Sequence, residues 1–193
     1  MTSSSLTFVL GGARSGKSDF ALEKARTLAG EKGQVLFLAT AQAGDAEMAA
    51  RIARHRRERP AHWQTVEAPH RVGQAWRATA QTTPPEVVVL DCITLLVANV
   101  LFAPGRAPET VDEEELEAAV MVEVEDLLAA HEELGGHLIV VSNEIGLGIV
   151  PATRLSRVYR DVLGRVNRRL ARAADTVLFL VAGIPLDLTR LRA

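Results

Sequence analysis

Short apolar runs alternate along this chain with longer segments in which apolar residues recur every three or four positions. Uninterrupted apolar runs of four to six residues are typical of parallel strands buried on both faces, whereas the wider spacing indicates amphipathic helices. The predicted strands are 6–10, 35–39, 87–90, 137–142 and 176–181, and the predicted helices are 19–29, 45–59, 70–79, 112–134 and 155–174. This alternation predicts an α/β fold with a mostly parallel central sheet and helices on both faces.

Bulk composition narrows the class of protein. The 193 residues suit a single domain spanning 1–193, and the hydrophobic fraction of 48% is enough for a large core. The formal net charge of −2 argues against a general nucleic-acid-binding protein. Cys92 is the single cysteine, which excludes an internal disulfide framework. The sequence shows no signal peptide and no run near the ~20 apolar residues of a membrane span, so we expect a cytoplasmic protein.

The first predicted strand leads into Gly-Gly-Ala-Arg-Ser-Gly-Lys-Ser at 11–18. Gly11, Gly16, Lys17 and Ser18 occupy the fixed positions of the phosphate-binding loop, or P-loop. In such loops the lysine places a positive charge on the β- and γ-phosphates, and the hydroxyl binds Mg²⁺. Because a strand precedes the motif and a helix follows it, the sequence favours a nucleoside triphosphate site over a glycine-rich turn without a ligand.

A carboxylate follows the third predicted strand. Four apolar residues at 87–90 end at Asp91, the position at which P-loop proteins place a second group near Mg²⁺. The alternative is that Asp91 caps a helix starting near Ile93. Signalling GTPases recognise guanine with an Asn-Lys-x-Asp motif, but here Asn143 is followed by Glu144. They also carry a glycine three residues after the aspartate of the second motif, and this chain has Thr94 there. A signalling GTPase is therefore disfavoured.

His55 lies in the predicted helix 45–59, which Asp45 is placed to cap. Met48, Ile52 and His55 share one face of this helix by their spacing. An unprotonated imidazole can attack a phosphoryl group, and neighbouring arginines can bind phosphate. The alternative is a half-buried histidine beside a solvated basic face, and spacing by itself favours that alternative. The basic residues are Arg51, Arg54, Arg56, Arg57 and Arg59.

Two later helices carry opposite charges. The segment 112–134 is acidic, with an apolar stripe, and we expect its charges to be simply solvated. The segment 155–174 is basic on one side, which leaves open a nucleotide-dependent ATPase that grips DNA with its arginine helices. Trp63 and Trp76 are predicted to be core or interface anchors.

Several motifs together resemble one family, the bifunctional adenosylcobinamide kinase / adenosylcobinamide-phosphate guanylyltransferase of cobalamin biosynthesis. The resemblance covers nearly the whole chain. It rests on the P-loop motif at 11–18, Met-Ala-Ala-Arg-Ile at 48–52 followed by His55, Arg-Pro-Ala-His-Trp at 59–63, and Asn-Glu-Ile-Gly-Leu-Gly-Ile-Val-Pro at 143–151. Leu-Phe at 101–102 and Gly-Arg-Val-Asn-Arg-Arg-Leu-Ala at 164–171 also fit.

The resemblance implies two reactions on a RecA-like core. ATP or GTP phosphorylates the aminopropanol hydroxyl of adenosylcobinamide, and GTP then gives GMP to a histidine that passes it to the phosphorylated corrinoid. That histidine matches His55; many relatives carry a His-His pair here, but this chain has Arg54 first. The resemblance also implies a homotrimer, with Ser18 and Asp91 on the Mg²⁺; from the net charge we expect no nucleic-acid partner. The implied nucleotide-binding residues are Gly11, Gly12, Ala13, Arg14, Ser15, Gly16, Lys17, Ser18, Ala39, Thr40, Ala41, Arg56, Arg57, Glu58, Arg59, Glu67 and Asp91.

The residues leave three questions open. Either Glu144 or Asp91 can orient the acceptor hydroxyl in the kinase step, and either ATP or GTP can serve it. A simpler kinase that never uses His55 is the main rival enzyme. Because the two reactions break different phosphate bonds, we expect the helix 45–59 to move between them.

Overall fold

The computed structural model describes residues 4–44 and 46–191, apart from the side chains of Glu47, Met48 and Arg51. Within these residues one sheet runs in the order β3-β2-β4-β5-β1-β6-β7. Its first six members in that order pair in parallel, and β7 is antiparallel to β6. The strands are β1 (Ser5–Gly11), β2 (Val35–Ala39), β3 (Gln64–Glu67), β4 (Val87–Asp91), β5 (His137–Val141), β6 (Thr176–Val181) and β7 (Ile184–Asp187). The predicted α/β fold with a mostly parallel sheet is confirmed.

Helices connect the parallel strands. They are α1 (Lys17–Ala29), α2 (Ala46–Arg57), α3 (Val72–Ala80), α4 (Ile93–Leu101), α5 (Glu113–Leu134) and α6 (Arg154–Ala173), with short 3₁₀ helices at Pro108–Thr110 and Thr189–Leu191. Asp112 begins α5 as its N-cap, where its carboxylate accepts from the backbone N–H groups of Glu114 and Glu115 at 3.0 Å. None of the described helices is both long and apolar enough to cross a membrane.

Both faces of the sheet are buried, which explains the uninterrupted apolar runs. Successive residues of a strand point to opposite faces, and in β1 Phe8 packs into one apolar cluster and Val9 into the other. Phe8 shares its cluster with Trp76 and the apolar stripes of α4, α5 and α6. Val9 lies in the second cluster with α1 and Trp63. Of the two predicted roles for the tryptophans, core or interface anchor, both residues take the core role.

The sequence analysis missed the two edge strands. β3 reads Gln-Thr-Val-Glu and has no buried residue, so it lacks the apolar run that marks an interior strand. β7 contains Pro185 and is mostly exposed, as is common for edge strands. The proposed cap Asp45 and the side chains of Met48 and Arg51 lie outside the described residues.

The prediction that the acidic charges of α5 are simply solvated was wrong. Arg165 of α6 pairs with Glu113 and Glu117, and Arg169 makes a two-pronged contact with Glu125 at 2.6 and 2.7 Å. The basic side of α6 therefore faces the acidic side of α5. Since these pairs are partly exposed, each contributes about 0–1 kcal/mol and serves mainly to align the two helices.

We expect Gly73→Ala to destabilise the protein, because α3 and α5 touch there without room for a methyl group. A Cβ atom at Gly73 would lie 2.5 Å from the carbonyl oxygen of Asp126 and 2.7 Å from its carbon. Arg77 holds the same aspartate with a hydrogen bond of 2.7 Å, so α3 cannot easily withdraw. The free energy of unfolding in urea should fall by about 1–3 kcal/mol.

Gly164→Ala is the matched control for this substitution. Gly164 lies within α6, and a Cβ atom there would have nothing within 4 Å. Alanine in the interior of a helix is favoured over glycine by about 0.5–1 kcal/mol, so this variant should be slightly more stable than the parent. Equal effects of the two substitutions would contradict the close packing of α3 on α5.

Candidate active site

The candidate site lies where the parallel strands end. The P-loop at 11–18 follows β1, Asp91 is the last residue of β4, and Asn143 and Glu144 come directly after β5. Because β4, β5 and β1 are neighbours in the sheet, these segments meet at one edge. In open α/β sheets ligands bind at this carboxyl edge.

The P-loop has the backbone shape that its glycines permit. Gly16 is the N-cap of α1 with φ 88°, a left-handed conformation in which a side chain would be strained. A Cβ atom at Gly16 would also lie 3.3 Å from the Cα of Gly183, in the β6–β7 turn. The backbone N–H of Gly183 donates to the Ser15 carbonyl at 3.0 Å. The loop is thus held by the neighbouring hairpin, with the N-terminus of α1 available to an anion.

Lys17 is buried within the loop. Its Nζ donates to the Gly12 carbonyl at 2.6 Å, and the residue is only 7% exposed. Burial lowers the pKa of Lys17, while Cys92 and Asp91 oppose that shift. The Asp91 carboxylate therefore lies within electrostatic reach of the Lys17 ammonium, as a site for a phosphate chain and a divalent cation requires.

Arg59 lies within electrostatic reach of the same carboxylate. Its guanidinium lies over the Phe37 ring of β2, 3.5 Å from the centroid, and donates to the Thr65 hydroxyl of β3 at 3.0 Å. Burial lowers the pKa of Arg59, and Asp91 is the main opposing influence. Its buried Nε has no hydrogen-bond partner within the described part of the chain. A buried donor without a partner is costly, so a ligand acceptor here would be favourable.

Thr40 joins the ends of β2 and β4. Its hydroxyl donates to the Cys92 carbonyl and accepts from the Cys92 N–H, both at 2.8 Å. The Asn99 amide donates to the Thr40 and Pro69 carbonyls. Thr40 is fully buried, so its side chain fixes the backbone beside Asp91. The N-cap of α4 is Cys92, so the alternative in which Asp91 caps this helix was wrong.

A second network holds the segment after β5. The N–H of Asn143 donates to the Thr94 hydroxyl at 2.8 Å, and the Asn167 amide donates to the Asn143 carbonyl at 3.0 Å. Glu144 donates its N–H to the Gly11 carbonyl at 3.1 Å, and its carboxylate accepts from the Gly146 N–H. This network ties the chain after β5 directly to the P-loop.

His55 lies in a separate cluster on α2. Its side chain is 30% exposed, and Nδ1 lies 3.1 Å from the Glu58 carboxylate. Arg26 of α1 donates to the Glu58 carbonyl at 2.6 Å and lies over the Trp63 ring. None of the hydrogen bonds and ion pairs found among the described residues joins His55 to the P-loop.

Two further features belong to the surroundings of this cluster. A cleft of about 610 Å³ is lined by Asp19, which follows the P-loop directly, and by Glu58, which holds His55. No described side chain of α2 is buried; Ile52 and His55 are half-buried and the others are exposed. Few buried contacts are typical of elements that move.

The remaining predicted nucleotide-binding residues differ in their exposure. Ala13, Arg14, Arg56, Arg57 and Glu67 are exposed, Gly12, Ser18 and Ala41 are half-buried, and Ser15 and Ala39 are buried. Sequence reasoning missed the supporting groups Thr94, Asn99 and Asn167. Their positions within helices give no local signal of this role, because each acts on a backbone far away along the chain.

The fold and this edge define the class of protein, a P-loop nucleotide-binding protein with a RecA-like sheet. Two solved structures support that fold. An ATPase domain matches with a TM-score of 0.56 and 19% identity, covering 94% of this chain and 70% of that chain. A KaiC-like protein from Pyrococcus horikoshii OT3 matches with a TM-score of 0.53 and 14% identity, covering 91% and 71%.

Sequence relatives identify the family. The family model described as cobinamide kinase / cobinamide phosphate guanyltransferase matches residues 7–188. The bifunctional adenosylcobalamin biosynthesis protein CobU of Escherichia coli is 44% identical over 181 residues, and that of Salmonella typhimurium is 45% identical over 186; each match covers 93% of this chain and 97% of the relative. The chain belongs to this family. The predicted family and the predicted enzyme class are confirmed.

We expect Cys92 to resist alkylation. Burial raises the pKa of Cys92 to about 12, with Asp91 adding to the shift. At pH 8 only about one thiol in ten thousand is then a thiolate, so iodoacetamide should react about a thousandfold more slowly than with an ordinary cysteine. The native rate, followed by mass spectrometry, should rise tenfold per pH unit up to about pH 10. The protein unfolded in urea is the control, and equal rates in both states would contradict the raised pKa.

Proposed function

We propose that one nucleotide site serves both reactions of the family, with His55 as the transient carrier of GMP. The observation that carries this proposal is the buried Lys17 of the P-loop, within electrostatic reach of Asp91 at the end of β4. It supports a triphosphate with its β- and γ-phosphates at that lysine. The cleft lined by Asp19 and Glu58 leaves open space between the start of α1 and the residues that follow His55.

Mg²⁺ fits the residues present. The Ser18 hydroxyl at the start of α1 and the Asp91 carboxylate at the end of β4 are oxygen donors of the kind that Mg²⁺ prefers. We propose that these two groups hold the ion, Asp91 through water. When bound, the ion neutralises charge on the phosphate oxygens.

In the kinase step the acceptor hydroxyl oxygen attacks the γ-phosphorus, the bond from that phosphorus to the bridging β-phosphate oxygen breaks, and the hydroxyl proton passes to the Glu144 carboxylate. Lys17 stabilises the charge that develops on the departing diphosphate. We assign Glu144 rather than Asp91 to orient the acceptor hydroxyl, and either ATP or GTP remains suitable as the donor. The carboxylate of Asp91 lies near the charges of Lys17 and Arg59, whereas Glu144 stands at the junction of the P-loop and the loop after β5.

In the transfer step Nε2 of His55 attacks the α-phosphorus of GTP, and pyrophosphate leaves. Glu58 accepts a hydrogen bond from Nδ1–H, which leaves the lone pair on Nε2. A phosphate oxygen of the phosphorylated acceptor then attacks the same phosphorus, and the electron pair of the P–N bond returns to Nε2. Atoms and charge balance in both halves.

A movement of α2 completes this proposal. No described hydrogen bond connects His55 to the P-loop, yet in-line attack needs contact with the α-phosphate. The absence of buried side chains on the described part of α2 supports such a movement. Arg56 and Arg57, exposed at the end of this helix, are then candidates for contacts with the phosphates.

The partners that we propose are GTP, ATP and adenosylcobinamide, in the cytoplasm, where these nucleotides and Mg²⁺ occur. A homotrimer is also proposed. The mostly exposed edge strand β7, with Ile184 65% and Leu186 50% exposed, supports association of copies.

Covalent labelling tests the role of His55. Incubation with Mg²⁺ and GTP labelled at the α-phosphate should leave label on the denatured protein that is labile to acid and stable to base. His55→Ala should remove this label completely, because no other group carries the GMP. GTP labelled at the γ-phosphate is the control and should leave none.

Glu58→Gln refines the same experiment. The amide keeps the shape of the side chain but holds Nδ1–H less strongly, so labelling should slow about tenfold and not disappear. If His55→Ala retains full labelling, another nucleophile carries GMP. If the parent protein binds GTP but takes no label, the chain is a simpler kinase.

Glu144→Gln should separate the two activities. We expect the kinase kcat to fall at least tenfold, because the acceptor hydroxyl loses its orienting carboxylate. Labelling of His55 by GTP should stay within twofold of the parent. Asp91→Asn is the comparison and should impair both reactions, since Asp91 serves the nucleotide and the ion. If Asp91→Asn impaired the kinase reaction alone and Glu144→Gln impaired both, the orienting role would belong to Asp91.

A further inference from the structure

An apolar loop stands exposed next to the phosphate site. Between β5 and α6, Leu147, Ile149 and Val150 are 81%, 97% and 64% exposed, and Ile145 is 37% exposed. We call residues 145–150 the apolar loop. Most exposed apolar residues are scattered singly, whereas a continuous group of large ones marks a binding surface.

Both ends of the apolar loop are held in place. At its start, Glu144 donates its N–H to the Gly11 carbonyl of the P-loop and its carboxylate accepts from the Gly146 N–H. At its end, Arg157 of α6 donates to the carbonyls of Pro151 and Ala152 at 3.0 and 2.8 Å. The apolar side chains are therefore presented by a backbone that is anchored on both sides. A preorganised surface of this kind loses little entropy on binding.

The position of the loop points to the acceptor as its ligand. The acceptor hydroxyl must reach the γ-phosphate, and the chain after β5 is hydrogen-bonded to the loop that binds that phosphate. The family's acceptor is a cobinamide, a corrinoid whose broad ring carries apolar methyl groups and extends far beyond the reacting hydroxyl. We propose that the apolar loop binds the corrinoid ring while its aminopropanol arm enters the phosphate site past Glu144.

A second copy of this chain is the competing occupant. Self-association has a better candidate in β7, whose exposed edge can pair with another strand. The apolar loop lacks strand geometry and is joined to the catalytic edge, so a bound substrate accounts for it more directly. This inference rests on the kinase activity but not on the assignment of His55.

The test uses Leu147→Ser and Ile149→Ser in the full chain. Both side chains are exposed, so neither change should affect folding. We expect the dissociation constant for cobinamide, measured by equilibrium dialysis from its visible absorbance, and the KM for adenosylcobinamide to rise about tenfold in each variant. The KM for the nucleotide and the labelling of His55 by GTP should not change.

Val122→Ser is the matched control. Val122 is 71% exposed on α5, and its substitution should leave cobinamide binding unchanged. Free 1-amino-2-propanol, which has the hydroxyl but no ring, is a second control. Its phosphorylation at high concentration should be equal in the parent and in both loop variants.

The outcomes separate the possibilities. Unchanged cobinamide binding in both loop variants would overturn the proposal. A smaller mass in light scattering, together with unchanged binding per protomer, would instead assign the apolar loop to subunit contact. Loss of activity toward 1-amino-2-propanol as well would place the residues in the reaction itself, which also overturns a role limited to the ring. If the parent phosphorylates neither acceptor, the kinase function fails rather than the loop assignment.

Discussion

Parallel pairing of the central strands is the constraint on which the rest of the structure depends. It brings the carboxyl ends of β1, β4 and β5 to one edge, although these ends are some 50 to 130 residues apart in the chain. It also buries both faces of the sheet, since the crossover helices must pack above and below it. The same pairing therefore accounts for the apolar runs of the sequence, for the helical connections and for the position of the candidate site at one edge.

Burial of charge at this edge is the second constraint on the structure. Lys17 and Arg59 lie in low-dielectric surroundings, which lower the pKa of each, and Asp91 partly offsets both shifts. A buried group of two cations and one carboxylate is weak evidence of a contribution to stability. The arrangement suits a polyphosphate ligand, because its negative charge would balance the charges of Lys17 and Arg59.

The sequence predicted most of this architecture because its signals are local. The P-loop has fixed spacing, interior strands such as Val35–Ala39 are uninterrupted apolar runs, and Asp91 follows such a run directly. What could not be predicted depends on distant partners. β3 is a strand because β2 lies beside it, the hydroxyl of Thr40 matters because Cys92 is within reach, and the arginines of α6 are paired because α5 supplies carboxylates.

The two attachments on either side of α2 have a consequence for the chemistry. Thr40 fixes the chain before the helix, and Arg59, lying on Phe37, fixes the chain after it. The intervening segment is a tether of fewer than twenty residues that carries an imidazole. A group on so short a tether meets its target at an effective concentration of about millimolar or more. With the role that we propose for His55, such an arm can collect a nucleotidyl group at one position and deliver it at another without a rigid, permanently assembled active site.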